Sequence, residues 1–185
     1  GIYQDSMLGA YQFTRENIKF SPRDAMNLLM SVNTINEEYF QECAQSENGI
    51  SSFDILTQIM SPMTMKHETS AYKSDKHDAS TSNLIMEIIN GRYVRGQLDK
   101  KSLGGGSKGI LHRVCNDFGN EACAKFIDNF QNIITDYMKS SSFSVGISDL
   151  ISNEQTNEEI IKIITQKKTD VKNLIEQTQL GVFDN

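Results

Sequence analysis

One basic, glycine-rich stretch contains the residues with the clearest chemical potential. Two adjacent lysines lead into three consecutive glycines, and another lysine follows: Lys100, Lys101, Gly104, Gly105, Gly106 and Lys108. Glycine allows close backbone approach and positive φ at little steric cost. Backbone N–H groups that form a concave row beside lysine make a receptor for phosphate. The alternative is a flexible surface turn with solvated lysines, because glycine-rich loops commonly separate structural elements.

The charge around this stretch contrasts with the charge of the whole chain. The 185 residues carry a formal net charge of −6, which argues against a surface that coats nucleic acid. Basic residues nevertheless gather near the glycines, with Asp99 as the only acid among them: Arg92, Arg95, Lys100, Lys101, Lys108 and Arg113. A local basic patch in an acidic chain predicts one specific anionic contact, and ordinary surface charge is the alternative.

Several other kinds of site are disfavoured. The three cysteines, Cys43, Cys115 and Cys123, are odd in number and lack CxxC spacing, which disfavours a disulfide framework and a zinc site. We interpret them as small core residues in a reducing compartment. The glycine stretch lacks P-loop spacing, and no aspartate cluster suits a catalytic Mg²⁺ pair. The chain begins without Met or a signal peptide, so we expect a piece of a larger protein that crosses no membrane.

A hairpin is expected to position the basic stretch. Asn90-Gly91 separates two strand-like runs, and a type I′ turn needs positive φ at both of its central residues. The pattern therefore predicts a β-hairpin over residues 84–98. We expect its second strand to deliver Lys100 and Lys101 to the mouth of the glycine loop, on a rigid base.

Helical patterns account for most of the remaining chain. Ser21 before Pro22 is typical of a helix start, and Thr156 with Glu159 predicts a capping box. Helices are predicted over 1–14 (or a turn there), 21–32, 35–44, 53–60, 109–118 with Gly119 at its end, 121–138, and from 156 onward. The last has an apolar stripe that favours core packing or a helix partner. The polar segment 62–82 predicts a linker or exposed loop. The expected fold class is α+β, mainly helical with a β-hairpin.

Four motifs in order resemble the largest subunit of multisubunit DNA-directed RNA polymerases. Residues 1–9 resemble the family's G-I-x-Q-D-x-x-x-G, and residues 96–104 resemble G-x-x-(E/D)-K-K-(S/T)-(L/V)-G. Residues 109–112 resemble G-(I/L)-(I/L)-H, with Asp-Phe-Gly following at 117–119. Residues 143–149 resemble F-S-x-G-I-G-D, although Ser148 and Ser142 stand where the family has glycine. The resemblance covers the whole chain.

The resemblance implies a specific place in a polymerase. Residues 1–150 would form the pore domain, and residues 151–185 would begin the funnel. In this family the pore lines the secondary channel, through which nucleoside triphosphates enter, the backtracked RNA 3′ end is extruded, and the transcript-cleavage factor reaches the active site. The basic residues would contact phosphate or RNA, and the glycines would shape their loop: Lys100, Lys101, Lys108 and Arg113, with Gly104, Gly105 and Gly106.

The resemblance also implies partners, a cofactor and a location. The other polymerase subunits, especially the second-largest, would be partners. Mg²⁺ would be bound in the full enzyme by an aspartate-rich loop whose signature is absent from this chain. The motifs resemble those of eukaryotic RNA polymerase II rather than bacterial enzymes, and the abundance of Asn, Ile, Ser and Lys is typical of AT-rich genomes. We therefore expect a divergent polymerase, with a large nucleocytoplasmic DNA virus as a candidate source. We expect an intracellular protein, in the nucleus if cellular, or in host cytoplasm or virion if viral.

A second interpretation comes from a different class of protein. The chain could be a free-standing helical interaction module that presents its basic glycine loop to anionic partners. The two interpretations differ in what precedes Gly1, because only the polymerase requires an aspartate-rich metal loop there.

Overall fold

The computed structural model describes residues 2–73 and 78–181, which divide into two compact units, Gly1–Ser142 and Phe143–Asn185. The first unit contains, in chain order, α1 (Gln4–Phe13), β1 (Lys19–Phe20), α2 (Pro22–Leu29), α3 (Glu37–Ala44), β2 (Ile50–Ser51), α4 (Ser52–Thr57), β3 (Met65–Glu68), a 3₁₀ turn (Ser70–Lys73), β4 (Ile85–Ile89), β5 (Arg92–Arg95), α5 (Lys100–Leu103) and α6 (Ile110–Ser141). The second unit contains a 3₁₀ turn (Ile147–Leu150) and α7 (Glu154–Gln179). This content confirms the predicted α+β class.

Local capping explains where the short helices begin. The hydroxyl of Ser21 accepts a hydrogen bond from the N–H of Asp24 at 3.1 Å, and Pro22 occupies the first turn of α2, as predicted. Ser51 and Asp54 form a reciprocal capping box at the start of α4. Each cap satisfies N–H groups that a helix leaves unpaired at its first turn.

The core of the first unit lies where α1 packs against α6. Gly9 permits this approach, because a Cβ there would lie 2.5 Å from Cγ2 of Ile134. The rings of Phe13 and Tyr137 meet edge to face with centroids 5.0 Å apart, and Phe20 from β1 lies against both. The short β1–β2 pair therefore covers one edge of a helical core.

The predicted hairpin is confirmed as β4 and β5. Asn90 and Gly91 have φ values of 47° and 78°, and a type I′ turn requires positive φ at both positions. A register irregularity lies at Glu87/Ile88, and the Nε of Arg95 lies 2.8 Å from Oε2 of Glu87. This ion pair is largely shielded from solvent, with side chains 14% and 23% exposed.

The prediction of a linker or exposed loop over 62–82 is wrong for part of that segment, and residues 74–77 within it lie outside the described residues. Residues Met65–Glu68 form β3, which pairs antiparallel with β4 and completes the three-stranded order β3-β4-β5. Thr69 is buried, and its N–H donates to the carbonyl of Leu84 at 3.0 Å. Backbone pairing with a neighbouring strand, rather than an apolar pattern, makes this polar segment a strand.

Helix α6 breaks where the sequence predicts, whereas α7 begins earlier than predicted. The predicted break at Gly119 is present, with φ 90° and ψ 171° inside α6. The sequence pattern places the start of α7 at Thr156, but the side chain of Asn153 caps the helix by accepting from the N–H of Thr156. The apolar stripe of α7 is exposed rather than buried, with Ile161 at 64% and Val171 at 57%.

Candidate anion-binding site

Asp99 holds the two predicted lysines in place by capping α5. Its carboxylate accepts hydrogen bonds from the N–H groups of Lys101 at 3.0 Å, Ser102 at 2.8 Å and Ser70 at 2.8 Å. Burial opposes the charge of Asp99, but the hydrogen bonds from Ser70 and Ser102 outweigh it and hold the pKa of the carboxyl below its usual 3.8. The ionised cap joins α5 to the chain that follows β3.

A second contact fixes the side chain of Lys101 itself. Its Nζ donates to the carbonyl oxygen of Glu68, the last residue of β3, at 3.1 Å. The ammonium group is thereby drawn to the end of β3, although the lysine remains exposed. Lys101 therefore lies beside Lys66 and His67 of that strand, which line a common cavity with it.

Two adjoining cavities separate β3 from the glycine loop and from the start of α6. The first, of about 370 Å³, lies between Lys66, His67, Lys108 and Arg113. The second, of about 580 Å³, shares Lys66, His67 and Lys108 with the first and adds Lys101. Cations from a strand, a loop and two helices therefore surround one concave surface, which we call the basic groove.

The basic groove is positive although the chain is acidic. Among the described residues, its walls contain four cations, Lys66, Lys101, Lys108 and Arg113, and two carboxylates, Glu68 and Asp117. Arg113 pairs with Asp117 at 3.1 Å, but both side chains are about half exposed, so the pair is weak and solvent-screened. The groove thus has a surplus of positive charge facing solvent.

His67 lies at the centre of the basic groove. Its Nε2 is buried and has no hydrogen-bond partner in the described structure. Burial first, and then the positive charge of Lys101, lower the pKa of His67 below 6.5, and Lys108 acts in the same direction. An unpaired buried nitrogen is unusual in a folded protein and is consistent with a polar ligand that completes the site.

The structure brings together three of the four basic residues predicted from the sequence. Lys101, Lys108 and Arg113 line the groove, whereas Lys100 is exposed on α5 and lines neither cavity. Sequence reasoning missed Lys66 and His67, because the polar segment that contains them predicts a loop. Burial alternates along residues 65–68 in the structure, but their sequence contains a single apolar residue, Met65, and four residues are too few to establish a period.

The glycine loop is built differently from expectation. A Cβ at Gly104 would lie 2.3 Å from the carbonyl oxygen of Lys100, so this position requires close approach. Gly105 and Gly106 have open space around them, and none of the three has a positive φ. The N–H of Gly104 donates to the carbonyl of Lys100 in α5, and the N–H of Gly109 donates to the carbonyl of Gly106, at 3.0 Å each. Side-chain cations therefore supply the positive charge of the groove.

Comparison with known proteins identifies the family. The family described as RNA polymerase Rpb1, domain 3 matches residues 1–150. The chain belongs to this family. Two archaeal relatives of the Rpb1 domain 3 chain are each named DNA-directed RNA polymerase subunit Rpo1N. The protein of Methanococcus vannielii is 27% identical and that of Methanocaldococcus jannaschii 26% identical, each across the full chain.

The Rpb1 domain 3 chain spans only part of these relatives. It covers 21% of the Methanococcus vannielii protein and 14% of the Methanocaldococcus jannaschii protein. The family and these relatives confirm the predicted resemblance to the largest polymerase subunit.

Two further observations concern metal binding and membrane spans in the described residues. Across residues 2–73 and 78–181, no group of three or more His, Cys, Asp or Glu side chains is placed to hold a metal ion. Among the helices of this part of the chain, none is long and apolar enough to cross a membrane. The basic groove offers positive charge and hydrogen-bond donors.

Proposed function

We propose that this segment of the polymerase largest subunit lines the secondary channel and guides polyphosphate and RNA through it by charge. The basic groove carries this proposal, since its cations come from four separate elements and converge on one surface of an acidic chain. Nucleoside triphosphates and the RNA 3′ end are the anions that such a surface would attract in a polymerase. The attraction is sequence-independent and salt-sensitive, because it depends on phosphate charge.

Within this proposal each basic residue has a distinct position. Lys101 and Lys108 line the cavity space beside His67, so they would contact phosphate directly. Arg113 is partly neutralised by Asp117 and would contribute less. Lys100 would act from the rim as a longer-range charge. The groove would steer and hold anions, while Mg²⁺ bound elsewhere in the full enzyme would serve the nucleotidyl transfer.

The exposed surfaces of this segment would contact partners in the assembled enzyme. Other polymerase subunits, the second-largest among them, would surround the channel, and a transcript-cleavage factor would enter along it. The alternative of a free-standing anion-binding module would require the groove to bind phosphate without these neighbours. Membership of the Rpb1 domain 3 family favours the polymerase.

The experiment is a double substitution in the assembled polymerase, Lys101→Ala with Lys108→Ala. We expect a several-fold rise in the KM for nucleoside triphosphates at low salt and slower cleavage of backtracked transcripts. The dependence of log KM on log salt should become shallower by about 0.7 for each lysine–phosphate pair that the substitutions remove. Lys100→Ala should have a smaller effect, because this residue lines neither cavity.

Lys125→Ala is the matched control. Lys125 is an exposed lysine of α6 beyond Gly119 and lines neither of the two cavities. Its substitution removes the same type of charge from the first unit without touching the groove. If the double variant matched this control in both reactions at every salt concentration, the channel role would be wrong.

A further inference from the structure

Two thiols lie on opposite sides of the break in α6. Cys115 precedes Gly119 by four residues, and Cys123 follows it by four. On a straight α-helix, residues eight positions apart are separated by about 12 Å along the axis, which is too far for a disulfide. The φ of 90° and ψ of 171° at Gly119 take the chain off the helical path, so this limit does not apply.

Each thiol contacts the segment that contains the other. The Sγ of Cys115 lies 3.0 Å from Oδ1 of Asn120, which is already past the break. The Sγ of Cys123 lies 3.6 Å from the carbonyl oxygen of Leu111, which in a helix points toward residue 115. The two sulfur atoms therefore occupy one shared space at the bend.

The electrostatics of the pair agree with this geometry. Burial first, and then the neighbouring Cys115 thiol, raise the pKa of the Cys123 thiol. Both cysteines are half-buried, so a small oxidant can reach them while the protein remains folded. Because a raised pKa disfavours the Cys123 thiolate, we take Cys115 as the thiol that reacts first.

We propose that Cys115 and Cys123 form a reversible disulfide across the α6 break when the protein meets a peroxide. The Cys115 thiolate attacks one peroxide oxygen, the O–O bond breaks, and a sulfenic acid forms while hydroxide leaves and takes up a proton as water. The Cys123 sulfur then attacks the Cys115 sulfur, forming the S–S bond and expelling the sulfenic oxygen as a second water. Two electrons pass from the thiols to the peroxide.

The disulfide would fix the angle between the two segments of α6. The first segment carries Arg113 and the start of the helix beside the basic groove, so oxidation would hold that wall in one position. Reduction by a cellular dithiol would release it. The pairing itself depends on the bend at Gly119 and is independent of the proposed channel role.

The first test is peptide mapping of the intact protein that carries this chain. The protein is treated with hydrogen peroxide, alkylated with iodoacetamide and digested with trypsin. The peptide 114–125 contains both cysteines, so its disulfide form is lighter by two hydrogens, resists alkylation, and becomes alkylated after dithiothreitol. Cys43, in α3, is the internal reference and should remain open to alkylation. A peptide with Cys115 over-oxidised and Cys123 still alkylated would overturn the proposal.

Variants test the geometry. Cys115→Ser and Cys123→Ser should each abolish the disulfide form. Gly119→Ala has open space for its Cβ, but the φ of 90° strains any residue with a side chain, so it should slow disulfide formation by about tenfold. Gly105→Ala, which leaves the bend untouched, should not change the rate. Equal rates of disulfide formation in wild type and Gly119→Ala would contradict the role of the bend. If a variant does not fold, the peptide map of the wild-type protein alone decides whether Cys115 and Cys123 pair.

Discussion

The β4–β5 hairpin and the glycine loop both border the basic groove, but their backbones are held in opposite ways. After β5, Gly96 has a φ of 107°, and a Cβ there would lie 2.1 Å from Cα of Met86. In the loop, no atom of the described residues lies within 4 Å of a Cβ added at Gly105 or Gly106. The hairpin exit is therefore determined by packing, whereas the tip of the loop is open to solvent.

The packed hairpin exit, residues 96–98, supports the groove, and we call it the frame. The open glycine loop forms the contact surface. The hairpin exit is tied to the end of α1, because Asn83 accepts from the N–H of Gly96 at 2.9 Å and donates to the carbonyl of Thr14 at 3.1 Å. The N–H of Leu98 also donates to the hydroxyl of Thr14 at 2.8 Å. Lys101 follows this anchored stretch, while Lys108 lies on the open loop. One cation is thus held by the frame and the other is free to adjust to a ligand.

The largest expected effect on stability comes from Gly96→Ala, which disrupts packing at the hairpin exit. The added Cβ meets backbone atoms that cannot rotate away, at a φ that favours glycine, so we expect a loss of about 3–5 kcal/mol in the free energy of unfolding. Urea unfolding of the chain measures it. Gly105→Ala is the matched control and should change stability by no more than about 1 kcal/mol, because alanine there meets no neighbour and restricts the unfolded chain. Similar losses in both variants would remove the distinction between frame and loop.

Asn83→Ala should cause the next largest loss of stability. It leaves the buried N–H of Gly96 and the carbonyl of Thr14 without their partner, which costs about 2 kcal/mol in the free energy of unfolding. Thermal or urea unfolding measures the change. Asn132→Ala, an exposed asparagine on α6, should stay within about 0.5 kcal/mol of wild type. An equal effect of the two substitutions would show that Asn83 does not anchor the hairpin exit.

Ser142→Gly should stabilise the chain slightly. Ser142 has φ 50° and ψ 174° at the end of α6, a region that glycine adopts without strain, and the resembling polymerase motif has glycine there. Relief of this strain outweighs the extra freedom of the unfolded chain, so the free energy of unfolding should rise by about 1 kcal/mol in a urea titration. Ser141→Gly, at the last residue of α6, should instead lower it. A decrease in both variants would contradict the strain at Ser142.

The smallest expected effect is a pH dependence from His67. Because the pKa of His67 is lowered in the folded state, the unfolded chain binds a proton more readily between its own pKa of 6.5 and the lowered value. The free energy of unfolding, measured in urea at a series of pH values, should therefore be highest above pH 6.5 and fall as the pH drops through this window. His67→Gln should flatten the fall, whereas His112→Gln should retain it. A fall that survives His67→Gln would exclude burial of this histidine as its cause.

The parts of the fold that were predicted correctly depend on near neighbours in the sequence. The turn at Asn90-Gly91, the cap at Ser21 and the break at Gly119 each follow from backbone preferences within about one helical turn. The predicted start of α7 was wrong because two residues that can cap a helix N-terminus, Asn153 and Thr156, lie three residues apart. Local chemistry alone does not choose between them.

The candidate site was predicted in part, for a related reason. Lys101, Lys108 and Arg113 cluster in the sequence, so their proximity follows from the linear order. Lys66 and His67 come from about forty residues earlier in the chain. They reach the groove only because β3 pairs with β4, and the polar residues of β3 give no hydrophobic signal for that pairing.

The sequence by itself determined the family motifs, the α+β class, the hairpin turn and the basic stretch, because each depends on residue types at short spacing. The viral source, the compartment and the channel contacts stay predictions. Only the tertiary structure decided that β3 exists, that the Nε2 of His67 is buried in a cavity shared with Lys101, and that Cys115 and Cys123 share one space. The physical reason is that strand pairing, burial and the direction of a bend depend on contacts between residues that the linear order does not bring together.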